Sequence, residues 1–147
     1  MNLLRYGALL LIATLASATA FAQNTIGELM AAGGKQLSKD EVLATLSGSS
    51  ASGQLANGGE TQIDWNANGS VSGYMTNATG RRGSIYGTWK VDDEGKICRE
   101  LTIKFYESSQ VKDCFPVFRL GDQIYFPGPY TTIGPSVAIV KRTIKRQ

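Results

Sequence analysis

The stretch GSIYGTWKVDDEGKICRELTIKF, residues 83–105, decides the fold. Its first half alternates in the manner of a β-strand with one buried face, and that face carries Ile85, Gly87, Trp89 and Val91. The tight turn of residues 92–95 follows. The second half again has apolar residues on one face, with Arg99 as the odd member: Ile97, Leu101, Ile103 and Phe105. Two such runs joined by a short turn predict an antiparallel hairpin.

The same pattern continues on both sides of this hairpin. Further alternating runs, separated by turns, lie at residues 61–65, 71–75, 111–120, 123–126 and 137–144. The short spacing favours antiparallel neighbours, because parallel strands need long crossover connections. We therefore predict a mainly β fold, a small antiparallel up-and-down barrel of about seven or eight strands with a short N-terminal helical lead-in.

The lead-in is indicated by two capping boxes. Glu28 follows Thr25 by three residues, and Glu41 follows Ser38 by the same interval, so each pair predicts the start of a helix. The first helix is expected to end at Gly33-Gly34 and the second near Leu46. Residues 47–53 are small and polar and are interpreted as a joint. This divides the chain into a lead-in with its joint at 23–52 and a barrel at 53–147.

Residues 1–22 have the features of a cleavable secretory signal peptide. A basic head ending at Arg5 precedes an apolar run and the A-x-A site Ala20-Phe21-Ala22. The alternative, a membrane anchor, needs about 20 apolar residues, more than this run contains. We expect export to the periplasm or secretion, with no transmembrane segment in the mature chain.

Removal of residues 1–22 from the 147-residue chain leaves 125 residues, which fits one domain. It also lowers the formal net charge from +3 to +2, which is too small to predict a nucleic-acid partner. The basic residues near the C-terminus are interpreted as a solvated last strand, with a contact to anionic headgroups or an acidic partner as the alternative: Lys141, Arg142, Lys145 and Arg146.

The two cysteines, Cys98 and Cys114, are predicted to form a disulfide, because exported domains fold under oxidising conditions. Two buried free thiols are the alternative. The expected turn at residues 107–110 centres a hairpin on Ser108-Ser109, which would place Cys98 opposite Arg119 instead. Direct pairing needs a centre near Tyr106, so the sequence leaves three possibilities: a bulge, a diagonal bridge or an earlier turn.

Histidine is absent from the chain, which excludes Ser-His-Asp and Cys-His catalysis and nearly every zinc site. The acidic turn at residues 92–95 lacks the spacing of a calcium loop. We predict no catalytic residue, metal or cofactor. An enzyme that uses paired carboxylates is the least favoured alternative, and its candidates are Asp64, Glu100, Glu107 and Asp113.

Two resemblances accompany this pattern. Gly87-Thr88-Trp89 is similar to the G-x-W motif of lipocalins, which in that family lies on the first strand, so the likeness is one of architecture. The order of turn and core residues across 37–48, 65–73, 87–91, 95–98 and 114–125 resembles a family of small secreted bacterial proteins described only as a domain of unknown function. This resemblance implies a lipocalin-like barrel with a helical lead-in and implies no activity.

The aromatic residues direct the functional hypothesis, because a small barrel encloses either its own side chains or one small ligand. The candidate ligand-binding residues are Trp65, Trp89, Phe105 and Tyr125. The leading hypothesis is a non-enzymatic binding module for a small apolar or amphipathic ligand or an envelope component. The alternative is a protein-interaction role such as an exported enzyme inhibitor, because the barrel resembles the scaffold of periplasmic lysozyme inhibitors. Its partner-binding candidate is Tyr130, in the loop after Pro127.

Overall fold

The structure, a computed structural model, describes residues 24–55, 57–128 and 132–147. The predicted signal peptide and Tyr130 lie outside the described residues. The helices are α1 (Ile26–Ala31) and α2 (Lys39–Leu46). The strands are β1 (Lys35–Gln36), β2 (Ser49–Gln54), β3 (Glu60–Trp65), β4 (Ser70–Thr76), β5 (Arg82–Val91), β6 (Ile97–Lys104), β7 (Ser108–Phe115), β8 (Phe118–Leu120), β9 (Gln123–Pro127) and β10 (Ile139–Arg146).

Both predicted capping boxes are confirmed. The Thr25 hydroxyl accepts a hydrogen bond from the backbone N–H of Glu28 at 3.2 Å, and the Glu28 carboxylate accepts one from the Thr25 N–H at 3.1 Å. Ser38 and Glu41 make the same reciprocal pair at the start of α2. Gly33 ends the first helical segment with a φ of 93°, a conformation that glycine adopts at little cost.

The ten strands form one sheet in the order β1-β8-β9-β10-β2-β3-β4-β5-β6-β7, and every neighbouring pair is antiparallel. The sheet curls into a half-barrel, which confirms a mainly β, antiparallel fold. Its two edge strands are β1 and β7, and the concave side holds the main core.

The strand count of seven or eight was too low for three local reasons. β1 is a two-residue strand inside the lead-in, paired with β8. β2 occupies the segment interpreted as a joint, where small residues conceal the alternation of buried Ser49 and Ala51 with half-buried neighbours. The run at 111–120 is two strands, because Pro116 cannot donate a ladder hydrogen bond and β8 joins a different part of the sheet.

The predicted turn at residues 107–110 is wrong, and the turn lies at residues 105–107 instead. Lys104 pairs with Ser108, so the β6–β7 hairpin is centred on Tyr106. This register places Cys98 directly opposite Cys114, with their Cα atoms 4.0 Å apart, and the two are joined by a disulfide. Of the three possibilities that the sequence left open, the earlier turn is the one that occurs.

Two apolar clusters lie on opposite faces of the sheet. The concave cluster includes Leu46 of α2 and the fully buried Trp65, whose ring meets Trp89 edge to face at 5.4 Å. On the convex face, α1 covers β8 and β9 through Ile26, Leu29 and Phe118. α2 therefore fills part of the half-barrel from inside, while α1 packs against its outside.

Gly87 marks a close approach of two strands, so its replacement by alanine is expected to destabilise the fold. A Cβ atom at this position would overlap the backbone carbonyl of Glu100 on β6. We expect Gly87→Ala to lower the free energy of unfolding by about 1–3 kcal/mol in urea titrations. Gly134→Ala is the control, because no heavy atom lies within 4 Å of its added Cβ. Equal losses in the two variants would contradict this account.

The disulfide is expected to stabilise the hairpin by closing a loop in the unfolded chain. Its cysteines are 16 residues apart, so we expect the double variant Cys98→Ala/Cys114→Ala to lose about 3 kcal/mol of unfolding free energy. The matched control is Thr102→Ala/Gln110→Ala, which removes an exposed hydrogen-bonded pair from the same two strands. Chemical denaturation measures the free energy of unfolding of both variants. A loss no larger than that of the control would show that the disulfide does not stabilise the fold.

Candidate functional site

A cavity of about 710 Å³ opens where the sheet fails to close. Its lining comes from edge strand β7 on one side and from β9, β10, β2 and β3 on the other, with one residue from β6. The segments that follow β2 and β9 complete it. The volume falls in the range of pockets that hold small molecules. The cavity is therefore a candidate binding site inside the half-barrel.

The walls of the cavity are mainly apolar. Phe115 at the end of β7 and Phe126 on β9 approach to 5.3 Å between ring centroids, so they connect the two sides of the opening. Ile63 and Val140 extend the apolar lining on β3 and β10. Trp65 lies behind this wall, with its ring 6.3 Å from that of Phe126. A ligand here would meet aromatic and branched aliphatic surface.

An ion pair stands in this apolar wall. Arg99 and Asp113 face each other across the β6–β7 ladder, and the guanidinium donates to both carboxylate oxygens at 2.7 and 3.1 Å. Its Cζ atom also lies 4.7 Å from the centroid of the Phe115 ring. The side chains are 20% and 33% exposed, so water only partly screens the pair. The bidentate geometry leaves this charge locally balanced.

A second guanidinium enters the cavity from β10. Arg142 stacks above Phe126, with 5.7 Å between its Cζ atom and the ring centroid, and its Nη1 donates to the Gln54 carbonyl at 3.4 Å. Burial lowers the pKa of Arg142, and the positive charge of Arg99 lowers it further. No carboxylate among the described residues pairs with it. The described lining thus contains two positive side chains and one negative side chain.

The alternation of side chains along β10 places the C-terminal basic residues in different surroundings. Lys141 and Lys145 are exposed, as expected of a solvated strand. Arg142 instead lines the cavity, and Arg146 donates to the Ser47 carbonyl at 2.7 Å and to the Ala44 carbonyl. These carbonyls belong to the last turn of α2 and its C-cap, so Arg146 satisfies groups that a helix end leaves free. The prediction of a solvated basic strand thus agrees with the exposure of Lys141, Lys145 and Arg146, whereas Arg142 is half-buried.

The four predicted ligand-binding aromatic residues lie in three separate places. Trp65 and Trp89 pack together in the concave core, where the Trp89 Nε1 donates to the Asn66 carbonyl at 2.9 Å. Phe105 packs against Gly83 beside a second, more open groove. Tyr125 belongs to the cluster beneath α1. None of the four lines the cavity between β7 and β10.

Of the charged residues in the cavity, the sequence indicated only Arg142 as a possible contact, within the basic C-terminal group and its alternative of anionic headgroups or an acidic partner. Arg99 was noted only as the odd member of an apolar face, and Asp113 only as one of several carboxylates. Arg142 alternates with Val140 and Ile144, both of which contribute to the core. In each case the sequence contains a charged residue at a position where strand alternation predicts an inward-facing side chain, and that pattern could have indicated the site.

The carboxylates proposed for an enzyme are not gathered at one point. Asp113 lines the cavity, whereas Glu100 is exposed and pairs with Lys112 at 2.5 Å. Asp64 accepts a hydrogen bond from the Ser50 hydroxyl, and Glu107 lies in the exposed turn after β6. Within the described ranges, no group of three or more acidic or sulfur side chains has the geometry of a metal site. None of the helices described is long and apolar enough to cross a bilayer.

Comparisons with known proteins give no match: no family model, curated protein or solved structure is similar to this chain. The candidate site therefore stands on its own geometry.

Asp113 is expected to balance Arg99, so its neutralisation should destabilise the protein. Asp113→Asn leaves a partly buried guanidinium without its carboxylate, and we expect a loss of about 1–2 kcal/mol in unfolding free energy. Glu100→Gln is the matched control, because it breaks an exposed pair on the same two strands and should leave stability unchanged. Unfolding in urea at neutral pH compares the variants. Equal losses of unfolding free energy in the two variants would show that the cavity ion pair contributes no more to stability than the exposed pair.

Proposed function

We propose that this chain is an exported, non-enzymatic binding module of the cell envelope that holds a small apolar or amphipathic molecule inside its half-barrel. The observation that carries this proposal is the apolar-walled cavity of about 710 Å³ between β7 and β9–β10. Export rests on the predicted signal peptide, and the Cys98–Cys114 disulfide is consistent with an oxidising, extracytoplasmic destination in the periplasm or outside the cell.

The half-barrel is proposed to be of the lipocalin-like, up-and-down type. Strands β2 to β7 are neighbours in chain order, and so are β8 to β10. In such a fold the concave face is the natural place for a ligand, because the alternating side chains of every strand converge there. The opening between the two runs of strands gives a small molecule a way in.

The proposal predicts that the purified protein binds a neutral, apolar fluorophore such as Nile red, with a rise in fluorescence. Val140→Trp should block the cavity and weaken binding at least tenfold, because Val140 belongs to its lining. Thr143→Trp is the matched control, since it adds the same side chain at an exposed position on the same strand and should leave binding intact.

Far-UV circular dichroism establishes that both variants keep the fold. Absence of fluorophore binding by the folded wild-type protein would overturn the proposed function. Equal binding by Val140→Trp and the wild type would place the fluorophore outside the cavity and would also contradict it.

A further inference from the structure

The charge inside the cavity is not balanced among its described lining residues. Asp113 is engaged on both oxygens by Arg99, and none of the salt bridges among the described residues joins it to Arg142. Arg142 donates to the carbonyl oxygen of Gln54, a neutral acceptor, at 3.4 Å. One positive charge therefore remains in excess where the walls are apolar.

This excess charge is costly for the protein alone. Arginine keeps its proton under all ordinary conditions, so Arg142 cannot remove the cost by becoming neutral. A charged group in apolar surroundings loses hydration and regains the energy only through a counter-charge or hydrogen bonds. The burial that lowers the pKa of Arg142 marks this loss of hydration.

The guanidinium is held in a fixed position. It stacks above Phe126 on one side, and it crosses Gly53, where an added Cβ would come within 2.6 Å of Nη1. Glycine at position 53 thus makes room for the arginine. A held guanidinium offers its remaining N–H groups as a planar fork, which matches the two oxygens of a carboxylate.

We propose that the cavity binds an amphipathic monocarboxylate, with its acid group paired to Arg142 and its apolar body against Phe115, Phe126 and Ile63. This inference rests on the proposed function and adds the chemical class of the ligand. A single negative charge matches the single excess positive charge, and an apolar body matches the walls.

The test compares decanoate with decanol, which share a chain and differ in charge. Isothermal titration calorimetry on the wild-type protein should show decanoate binding at least tenfold more tightly than decanol. Arg142→Gln should weaken decanoate roughly ten- to a hundredfold, the usual effect of losing a charge-assisted hydrogen bond, and leave decanol unchanged. Lys141→Gln is the matched control, because it removes the same charge from the exposed face of the same strand.

A second variant tests the charge balance from the opposite direction. Asp113→Asn removes the negative charge of the lining, so decanoate should bind more tightly to it than to the wild type and decanol should not. If Arg142→Gln fails to fold, the affinities of Asp113→Asn and of the wild type for decanoate and decanol still test the inference.

The outcomes separate this inference from the proposed function. Equal wild-type affinities for decanoate and decanol, with Nile red still bound, would overturn the carboxylate inference and leave the binding module standing. Equal weakening of both ligands by folded Arg142→Gln would make Arg142 a structural residue and would overturn the inference too. If none of the three ligands binds, both proposals fall.

Discussion

The structure depends on one constraint at Pro116, where the chain leaves β7 and enters β8. These strands are consecutive in the chain, yet they lie toward opposite ends of the sheet order. The proline cannot extend the ladder, and the Val117 carbonyl accepts from Leu37 of the lead-in. Two phenylalanine side chains, Phe115 and Phe126, make contact across the resulting opening, and the cavity lies beside them.

This constraint explains the position of the disulfide. Among the described strands, β7 is paired only with β6, so its register depends on a single ladder. The Cys98–Cys114 disulfide fixes that ladder one residue before Phe115. The same register places Asp113 opposite Arg99. The bridge, whose Cys114 also contributes to the cavity lining, therefore holds the cavity wall in place, and formation of the disulfide becomes a condition for the shape of the site.

The sequence predicted those elements whose signals are local. Capping boxes and alternating apolar residues depend on neighbours three or two positions apart, so α1, α2 and β3 to β6 were expected close to where they lie. β2 was missed because its buried face is made of Ser49 and Ala51, which carry too little apolar surface to reveal a phase. Its place is set by pairing with β3 and β10, which is non-local information.

The site was harder to predict than the fold, because its specificity lies in polar residues that interrupt an apolar pattern. Aromatic content pointed to Trp65 and Trp89, and the structure uses both of them for packing. Arg99, Asp113 and Arg142 are charged residues at positions where the alternation of their strands predicts apolar, inward-facing side chains. Their partial burial costs hydration free energy, and packing alone does not explain it. For Arg99 the reason is Asp113. Arg142 is only half-buried, and the Gln54 carbonyl and the Phe126 ring are its described contacts, both of them neutral. The carboxylate of the proposed ligand would supply the counter-charge that these neutral contacts do not.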